Sequence, residues 1–492
     1  MLKIKQLNYL KLLNFLAISI VFYFVIQNIL SFFNQIQYRH LHVDERLVVI
    51  NPILNVYFQV DIYDRFSEIT PVFLKNLLVI TSEMILGGTL DYGRIYNNLY
   101  IVAAGPLSIF NFEVVVIFGR LIQFAIFLYS LIYISKYFLR ESSRSLFILL
   151  AFGLPGAYFI VQNPKPDSLA ILFLMIGLRY ALLNENYRKS FIFVGLSIGT
   201  KIITLIPGAL LGLYLIFPLK KIKTLKKVIE LIFMTFLGVL AAQPALLIPL
   251  PRIYNRVFSA ISGSSAYDQE KFFLINFENY QAWIERLSLE HQVPALVFTL
   301  LFALSLILLV KNFYINSDEW ESYFLFSSLI MIAFITLNVE RTWNYYLFLP
   351  FLFLLIYLFR LNNFKNLNIF YGAIVLMISI GGLLLHNDKA VNSYFEIDQT
   401  KNLSFDKAIG YLDNKYAEIE YEYKKVYWDP DYYFPGKNID YFSNFLVVEN
   451  WEEEKMLTPL DNKVDFIVST KIFTSDKTVK VSQFGELYIY EK

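Results

Sequence analysis

The sequence predicts a mainly α-helical membrane protein, a polytopic bundle of about 11 passes followed by a small C-terminal α/β domain. Two features of the composition carry this prediction. Hydrophobic residues make up 57% of the 492-residue chain and charged residues only 17%, whereas soluble proteins carry about 25% charged residues. The apolar residues also form runs of about 20 residues, the length that a helix needs to cross the hydrocarbon core of a bilayer. These runs rule out a purely soluble fold.

The predicted spans are apolar segments, and one of them is too long for a single crossing. Segment 190–217 has basic residues beyond both of its ends, and a single span cannot return to the side on which it began. We therefore predict that it forms two short helices, a hairpin with Lys201 near the outer apex. The candidate spans are 12–33, 112–135, 145–162, 168–183, 190–217, 228–250, 293–311, 321–338, 343–360 and 367–385.

Lysine and arginine in short loops indicate the orientation, because such loops stay in the cytoplasm. Three lysines precede the first span, and the loops at 136–144, 184–190, 220–227 and 360–365 are also basic. This pattern predicts a cytoplasmic N-terminus and an extracytoplasmic C-terminal domain. We expect a multi-pass protein of a bacterial inner (plasma) membrane.

Two domains are predicted from the change in composition near residue 385. Residues 1–385 form the transmembrane domain, with a long first outer loop at 35–111 whose amphipathic stretches suit the membrane surface. Residues 386–492 are charged and rich in tyrosine, which is typical of a soluble extracytoplasmic α/β domain. Its predicted elements are a helix at 404–424 and strands at 464–469 and 484–490.

The composition also limits the chemistry. The chain has no cysteine, which excludes disulfides, thiolate metal sites and a cysteine nucleophile. It has only four histidines, so an all-histidine metal site is not expected, and we expect neither a metal ion nor a cofactor. A net charge of +2 without a basic domain does not suggest nucleic-acid binding.

The first candidate site is the sequence His42-Val43-Asp44-Glu45, which follows the first span on the predicted outer side. Two adjacent carboxylates at a membrane surface suit general-base chemistry, because low-dielectric surroundings raise the pKa of a carboxyl group toward a useful value. The alternative is an acidic pair that only ends a helix or faces water.

The second candidate site is the Asn-Pro-Lys-Pro-Asp sequence at 163–167, between the third and fourth spans. Its two prolines predict a stiff outer turn that presents Lys165 and Asp167. Asp167 is a candidate catalytic residue, but it is equally suited to cap a helix that begins at Ser168.

Cations at the outer boundary are candidates for binding a phosphate. Lys201 lies in or near the membrane, where a charge indicates function unless the side chain snorkels to the headgroups. Arg341 can clamp a phosphate through two hydrogen bonds, and Arg252 is a weaker candidate of the same kind. Tyr345 and Tyr346 follow Arg341, and they either contact a substrate or belong to the interfacial aromatic belt.

These segments resemble the GT-C superfamily of membrane glycosyltransferases, most of all its protein mannosyltransferase and aminoarabinose transferase branch. The resemblance covers roughly residues 1–385, although Val43 stands where some members have proline. The sequences that carry it are HVDE at 42–45, NPKPDSLAILF at 163–173, GLSIGTKIITL at 195–205 and RTWNYYLFLP at 341–350.

The resemblance implies an enzyme that moves a sugar from a polyprenyl-phosphate donor to a glycan, lipid or protein acceptor at the outer face, without a metal. It implies that Asp44 or Glu45 is the catalytic base, with Asp44 preferred. Membrane lipids are the other expected partners. The remaining candidates are assigned to catalysis (Asp167), to donor phosphate binding (Lys165, Lys201, Arg252, Arg341) and to substrate binding (His42, Tyr345, Tyr346).

Other functions remain open on the sequence alone. A polysaccharide polymerase or ligase also uses lipid-linked glycans, and the arginines and histidine of the outer loop 251–292 would suit it. A transporter would need related halves and polar residues at the bilayer midplane, and the sequence indicates neither. A purely structural membrane subunit is a further alternative.

Overall fold

The structure, a computed structural model, is mainly helical. It describes residues 2–37, 93–109, 112–217, 219–247, 277–315, 321–338, 345–360 and 366–395, four strands between 426 and 491, and isolated helical residues at 53, 56, 81, 84, 85, 407 and 411.

Most of the described helices follow the apolar segments of the sequence, and short 3₁₀ turns join some of them. Two helices, Arg94–Ala103 and Phe277–His291, lie instead in the segments predicted as outer loops 35–111 and 251–292. The helices are α1 (Leu2–Gln37), α2 (Arg94–Ala103), α3 (Phe112–Phe138), α4 (Arg144–Phe152), α5 (Ala157–Gln162), α6 (Asp167–Leu182), α7 (Tyr187–Thr200), α8 (Leu205–Ile216), α9 (Leu225–Ala242), α10 (Phe277–His291), α11 (Ala295–Ile315), α12 (Glu321–Asn338), α13 (Tyr345–Arg360) and α14 (Asn366–Phe395). The strands are β1 (Val426–Trp428), β2 (Phe466–Ser469), β3 (Val479–Phe484) and β4 (Leu487–Glu491).

Several of these helices are long and apolar enough to cross a membrane. In the described part of the chain, 4 qualify, and α10 with α11 would make a fifth span although they meet at a bend of 114°. The predicted helical, membrane-type fold is confirmed at this level, whereas the number of passes stays a prediction. The qualifying segments are Leu12–Phe33, Val114–Phe138, Glu321–Asn338 and Ile369–Lys389.

The hairpin predicted around Lys201 is confirmed. Helix α7 ends directly before Lys201, whose backbone is extended, and α8 follows after one short turn. A Cβ atom on Gly208 of α8 would lie 2.7 Å from Val194 of α7, and one on Gly212 would lie 3.9 Å from the ring of Phe191. Since higher residue numbers in α8 meet lower ones in α7, the chain turns back along itself.

The basic loops on either side of this hairpin lie together, away from Lys201. The ammonium group of Lys221 is 2.8 Å from a carboxylate oxygen of Glu185, which precedes α7. Arg188 in the first turn of α7 forms an ion pair with Glu230 of α9. The loops 184–190 and 220–227 therefore share one end of these helices, as their common charge predicted, and the side of the membrane on which they lie stays a prediction.

Glycines allow α7 and α9 to pack with their backbones in contact. A Cβ atom on Gly195 would lie 2.0 Å from the carbonyl oxygen of Thr235, and one on Gly238 would lie 2.2 Å from that of Ile192. Both obstacles are backbone atoms, so no side-chain rotation could make room. Small residues at the crossing are what bring membrane helices this close.

Segment 145–162, predicted as one span, consists of two shorter helices. Between α4 and α5, Gly156 has a φ of 79°, a left-handed conformation that glycine adopts without steric cost. A Cβ atom on Gly153 would lie 1.8 Å from the carbonyl oxygen of Ser379 in α14. The break therefore coincides with a close approach of the α14 backbone.

The chain divides into two compact units. The first comprises Met1–Ile29, Thr89–Tyr96 and Arg120–Val391, and it contains every helix contact described above and the candidate site below. The second comprises Leu30–Gly88, Asn97–Gly119 and Asn392–Lys492.

The second unit contains a mixed four-stranded sheet with the order β1-β2-β4-β3. Strands β1 and β2 are parallel, and the other neighbours are antiparallel. The predicted strands at 464–469 and 484–490 overlap β2 and β4, so a small C-terminal sheet is confirmed. Strands β1 and β3 were not predicted, and most of the helix predicted at 404–424 lies outside the described residues.

The substitution Gly195→Ala tests the contact between α7 and α9. It should destabilise the protein by about 1–3 kcal/mol, because the new methyl group overlaps backbone atoms of α9. The melting temperature of the purified protein in detergent would measure this. The matched control is Gly212→Ala, which adds the same methyl group where there is room and should leave the melting temperature unchanged or slightly raised. Equal melting temperatures for the two variants would contradict the packing.

Candidate functional site

The structure describes part of the predicted site. The described site residues are Lys165, Asp167, Lys201, Tyr345 and Tyr346. The other predicted site residues, His42, Asp44, Glu45, Arg252 and Arg341, lie outside the described residues. The described ones belong to three segments that are distant in sequence, and the structure brings these segments together.

Lys201 and Asp167 form a buried ion pair. The Nζ atom of Lys201 lies 2.6 Å from Oδ2 of Asp167, and the two side chains are 9% and 8% exposed. Asp167 is the first residue of α6, and Lys201 directly follows α7. One turn further along, the Ser197 hydroxyl donates a hydrogen bond to the carbonyl oxygen of Ala170 at 2.7 Å. The ion pair thus lies between the beginning of α6 and the end of α7, and a hydrogen bond between these two helices holds their ends in place.

This geometry decides between the interpretations that the sequence left open. Helix α6 begins at Asp167 after Pro166 and has no side-chain cap, so the prediction that Asp167 caps a helix starting at Ser168 is wrong. Its carboxylate faces Lys201, and the positive end of the α6 dipole stabilises it there. Lys201 is buried and paired, which also contradicts a side chain that snorkels to the headgroups.

Tyr345 brings a second lysine to this pair. The centroid of its ring lies 3.6 Å from Nζ of Lys165 and 4.8 Å from Nζ of Lys201. The ring of Phe159 stacks on Tyr345 with the centroids 5.6 Å apart, and it lies 4.7 Å from the same Lys165 atom. Two ammonium groups therefore contact one aromatic wall, an arrangement that cation–π attraction stabilises.

The tyrosines differ in their exposure. Tyr345 is only 4% exposed, so it belongs to the interior and the interfacial-belt interpretation is wrong for it. Tyr346 is half-buried, and the centroid of its ring lies 5.6 Å from Nζ of Lys201. Tyr345 therefore contacts both lysines and Tyr346 contacts Lys201, while the role of the tyrosines in binding a substrate stays a prediction.

Gln123 of α3 connects the helices behind the site. Its amide nitrogen donates hydrogen bonds to the carbonyl oxygen of Ile160 at 2.9 Å and to the hydroxyl of Ser168 at 3.0 Å. Its amide oxygen accepts a hydrogen bond from the hydroxyl of Tyr96 at 3.0 Å. One side chain thereby fixes α5 and α6 relative to α3.

The segment Gly93–Tyr96 lies against the apex of the α7–α8 hairpin. The N–H of Gly93 donates to the carbonyl oxygen of Thr200 at 3.1 Å, and the N–H of Arg94 donates to Oε1 of Gln243 at 3.1 Å. A Cβ atom on Gly93 would lie 2.6 Å from the Cα of Thr200, so only glycine permits this contact. A part of the predicted first outer loop therefore touches the residue before Lys201.

The sequence interpretation missed several of these residues. Gln123 and Gln243 lie within predicted spans, and a polar residue in an apolar run is a signal that could have found both. Phe159 gave no signal, because phenylalanine is common throughout the spans. Gly93 gave none either, since its need for a close approach depends on a segment more than 100 residues away.

The described residues contain no group of three or more histidine, aspartate or glutamate side chains placed to hold a metal ion. No family model and no curated protein matches the sequence, and no solved structure matches the fold. The fold and site define the class of the chain as a mainly helical protein with membrane-capable helices and a buried ion pair at two helix ends.

A double-mutant cycle tests the buried pair. Lys201→Met or Asp167→Asn alone should destabilise the protein by about 3–5 kcal/mol, because each leaves an uncompensated buried charge. The double variant should be more stable than either single variant, as measured by thermal unfolding in detergent.

The exposed pair of Lys221 and Glu185 supplies the control. Its side chains are 46% and 60% exposed, so Lys221→Met should cost less than about 1 kcal/mol. Strictly additive effects of the two substitutions in the buried pair would contradict the contact.

Proposed function

We propose that the chain is a GT-C-type membrane glycosyltransferase, which transfers a sugar from a polyprenyl-phosphate donor to an acceptor at the outer face of the membrane. The observation that carries this proposal is the meeting of Lys165, Lys201 and Asp167 at the buried wall formed by Tyr345. Two ammonium groups in a buried, aromatic-lined site suit the phosphate of a lipid-linked donor. The resemblance of the same segments to GT-C enzymes supports the choice of reaction.

In the proposed reaction, an acceptor hydroxyl attacks the anomeric carbon of the sugar and the bond from that carbon to the phosphate oxygen breaks. The phosphate leaves with its added negative charge, which Lys201 stabilises in surroundings of low dielectric constant. Asp167 holds Lys201 in position through the 2.6 Å contact. The acceptor proton passes to the carboxylate of Asp44 or Glu45.

The other predicted site residues complete this assignment. Lys165, Arg252 and Arg341 are proposed to bind the donor phosphate, and His42 with the two tyrosines is proposed to contact the sugar or the acceptor. We further propose about 11 passes, with the Lys201 end of α7 outside and the basic loops in the cytoplasm. The C-terminal domain is then extracytoplasmic, at a bacterial inner membrane.

Turnover by the isolated protein tests the proposal. Purified chain supplied with a polyprenyl-phosphate sugar should release polyprenyl phosphate and glycosylate an acceptor. The double variant Asp44→Ala, Glu45→Ala should lower kcat by about 100-fold or more, because a general base contributes at least that much. Full activity in this variant would refute the assigned base.

The donor-binding assignment has its own readout. Arg341→Ala should raise the KM for the donor and leave the melting temperature nearly unchanged. Unchanged donor kinetics in this variant would count against a phosphate clamp at Arg341.

The same assay separates the alternative functions. Products with a growing glycan chain would favour a polymerase or ligase. Movement of the donor across vesicles without sugar transfer would favour a transporter.

The orientation can be mapped with single cysteines, because the natural chain has none. Lys223 is exposed in the basic loop before α9, and Ala282 is exposed in the segment predicted as the outer loop 251–292. A membrane-impermeant maleimide added to intact cells should label Ala282→Cys and should not label Lys223→Cys. Labelling of Lys223→Cys from outside would invert the proposed orientation and move the site to the cytoplasm.

A further inference from the structure

Three exposed lysines lie within seven residues of the chain at the beginning of α9. The lysine cluster consists of Lys220, Lys223 and Lys226. The nearby acids are engaged by other residues, Glu185 by Lys221 and Glu230 by Arg188. In the described part of the chain, no member of the lysine cluster has an acidic partner. This surface therefore presents positive charge to an external anion.

The helix itself does not stabilise these charges. The hydroxyl of Thr224 caps α9 by accepting the N–H of Lys227, and the first turn contains Lys226 and Lys227 but no acid. The N-terminus of a helix carries a partial positive charge, so lysines there are repelled. Lysines that served only to orient the protein in the membrane could lie in the loop, outside the first turn of α9.

An exposed apolar face begins at the same turn. Leu225 is 74% exposed, and Ile229, Ile232 and Phe236 continue the exposed row along one side of α9. The spacing of three and four residues places them on one face of the helix. The glycine-containing side of α9 packs on α7 instead, so this face is left for the surroundings.

We propose that this surface binds an anionic phospholipid, with the headgroup phosphate at the lysine cluster and an acyl chain along the face that begins at Leu225. The occupant follows from the two parts of the surface, because a basic group beside an apolar row matches an anionic headgroup joined to a hydrocarbon chain. Basic residues next to a membrane helix attract anionic lipids in this way. This lipid is distinct from the proposed sugar donor, since it lies at the end of α7 and α9 opposite Lys201.

Lipid binding to the purified full chain tests the proposal. Fluorescent phosphatidylglycerol should bind in detergent micelles at a lower mole fraction than the matching phosphatidylcholine. The triple variant Lys220→Gln, Lys223→Gln, Lys226→Gln should raise the half-saturating mole fraction of phosphatidylglycerol at least about tenfold. Its control is the triple variant Lys389→Gln, Lys407→Gln, Lys480→Gln, which removes the same charge from exposed positions elsewhere and should leave binding unchanged.

Two further measurements separate a lipid from a free anion. Glycerophosphoglycerol and inorganic phosphate, which have no acyl chains, should not displace the fluorescent lipid. The double variant Leu225→Asn, Ile229→Asn should weaken its binding although it retains every lysine. Three outcomes would each overturn the proposal. They are equal affinity for phosphatidylglycerol and phosphatidylcholine, displacement of the fluorescent lipid by inorganic phosphate, and unchanged binding of phosphatidylglycerol to the variant that lacks the lysine cluster. All of these readouts are independent of sugar transfer.

Discussion

The contact between Lys201 and Asp167 is the constraint on which the arrangement of α6, α7 and α8 depends. A buried ion costs several kcal/mol unless a partner compensates it, so these side chains must meet. They can meet only because α7 stops before Lys201 and α6 starts at Asp167, which places both charges at helix ends. The hairpin follows from the same stop, since the chain after Lys201 turns back along α7.

The parts of this arrangement that could be predicted from sequence depend on local rules. The apolar runs indicated membrane-capable helices through their length alone, and most of these runs are helical. The break at Lys201 could be predicted because basic residues on both sides of segment 190–217 are incompatible with a single crossing. In both cases the pattern of charged and apolar residues within about 30 residues is sufficient for the prediction.

The parts that could not be predicted depend on contacts between distant segments. Nothing near Lys165 in the sequence indicates that its ammonium group will face Tyr345, because the turn that contains Lys165 and the helix that contains Tyr345 are far apart in the chain. The break between α4 and α5 likewise accompanies an approach of the α14 backbone to Gly153, which a hydropathy pattern does not contain. In the C-terminal sheet, β1 pairs with β2 across 40 residues, whereas β4 has an alternation that is visible locally.

The lysines at the two ends of α7 and α9 show how burial gives one residue type two different environments. At one end, Lys201 is enclosed by protein and fixed by Asp167, so its charge acts at short range in a medium of low dielectric constant. At the other end, Lys223 is exposed, and the charge of an exposed lysine is screened within about 10 Å by salt and water. A reaction that develops charge on a phosphate requires a cation fixed before the reaction begins, which only the first environment provides. An exposed ammonium group that can change its orientation suits instead a lipid headgroup that exchanges with the surrounding membrane and varies in position. The proposed sugar transfer is therefore assigned to the Lys201 end, and the proposed lipid headgroup to the other.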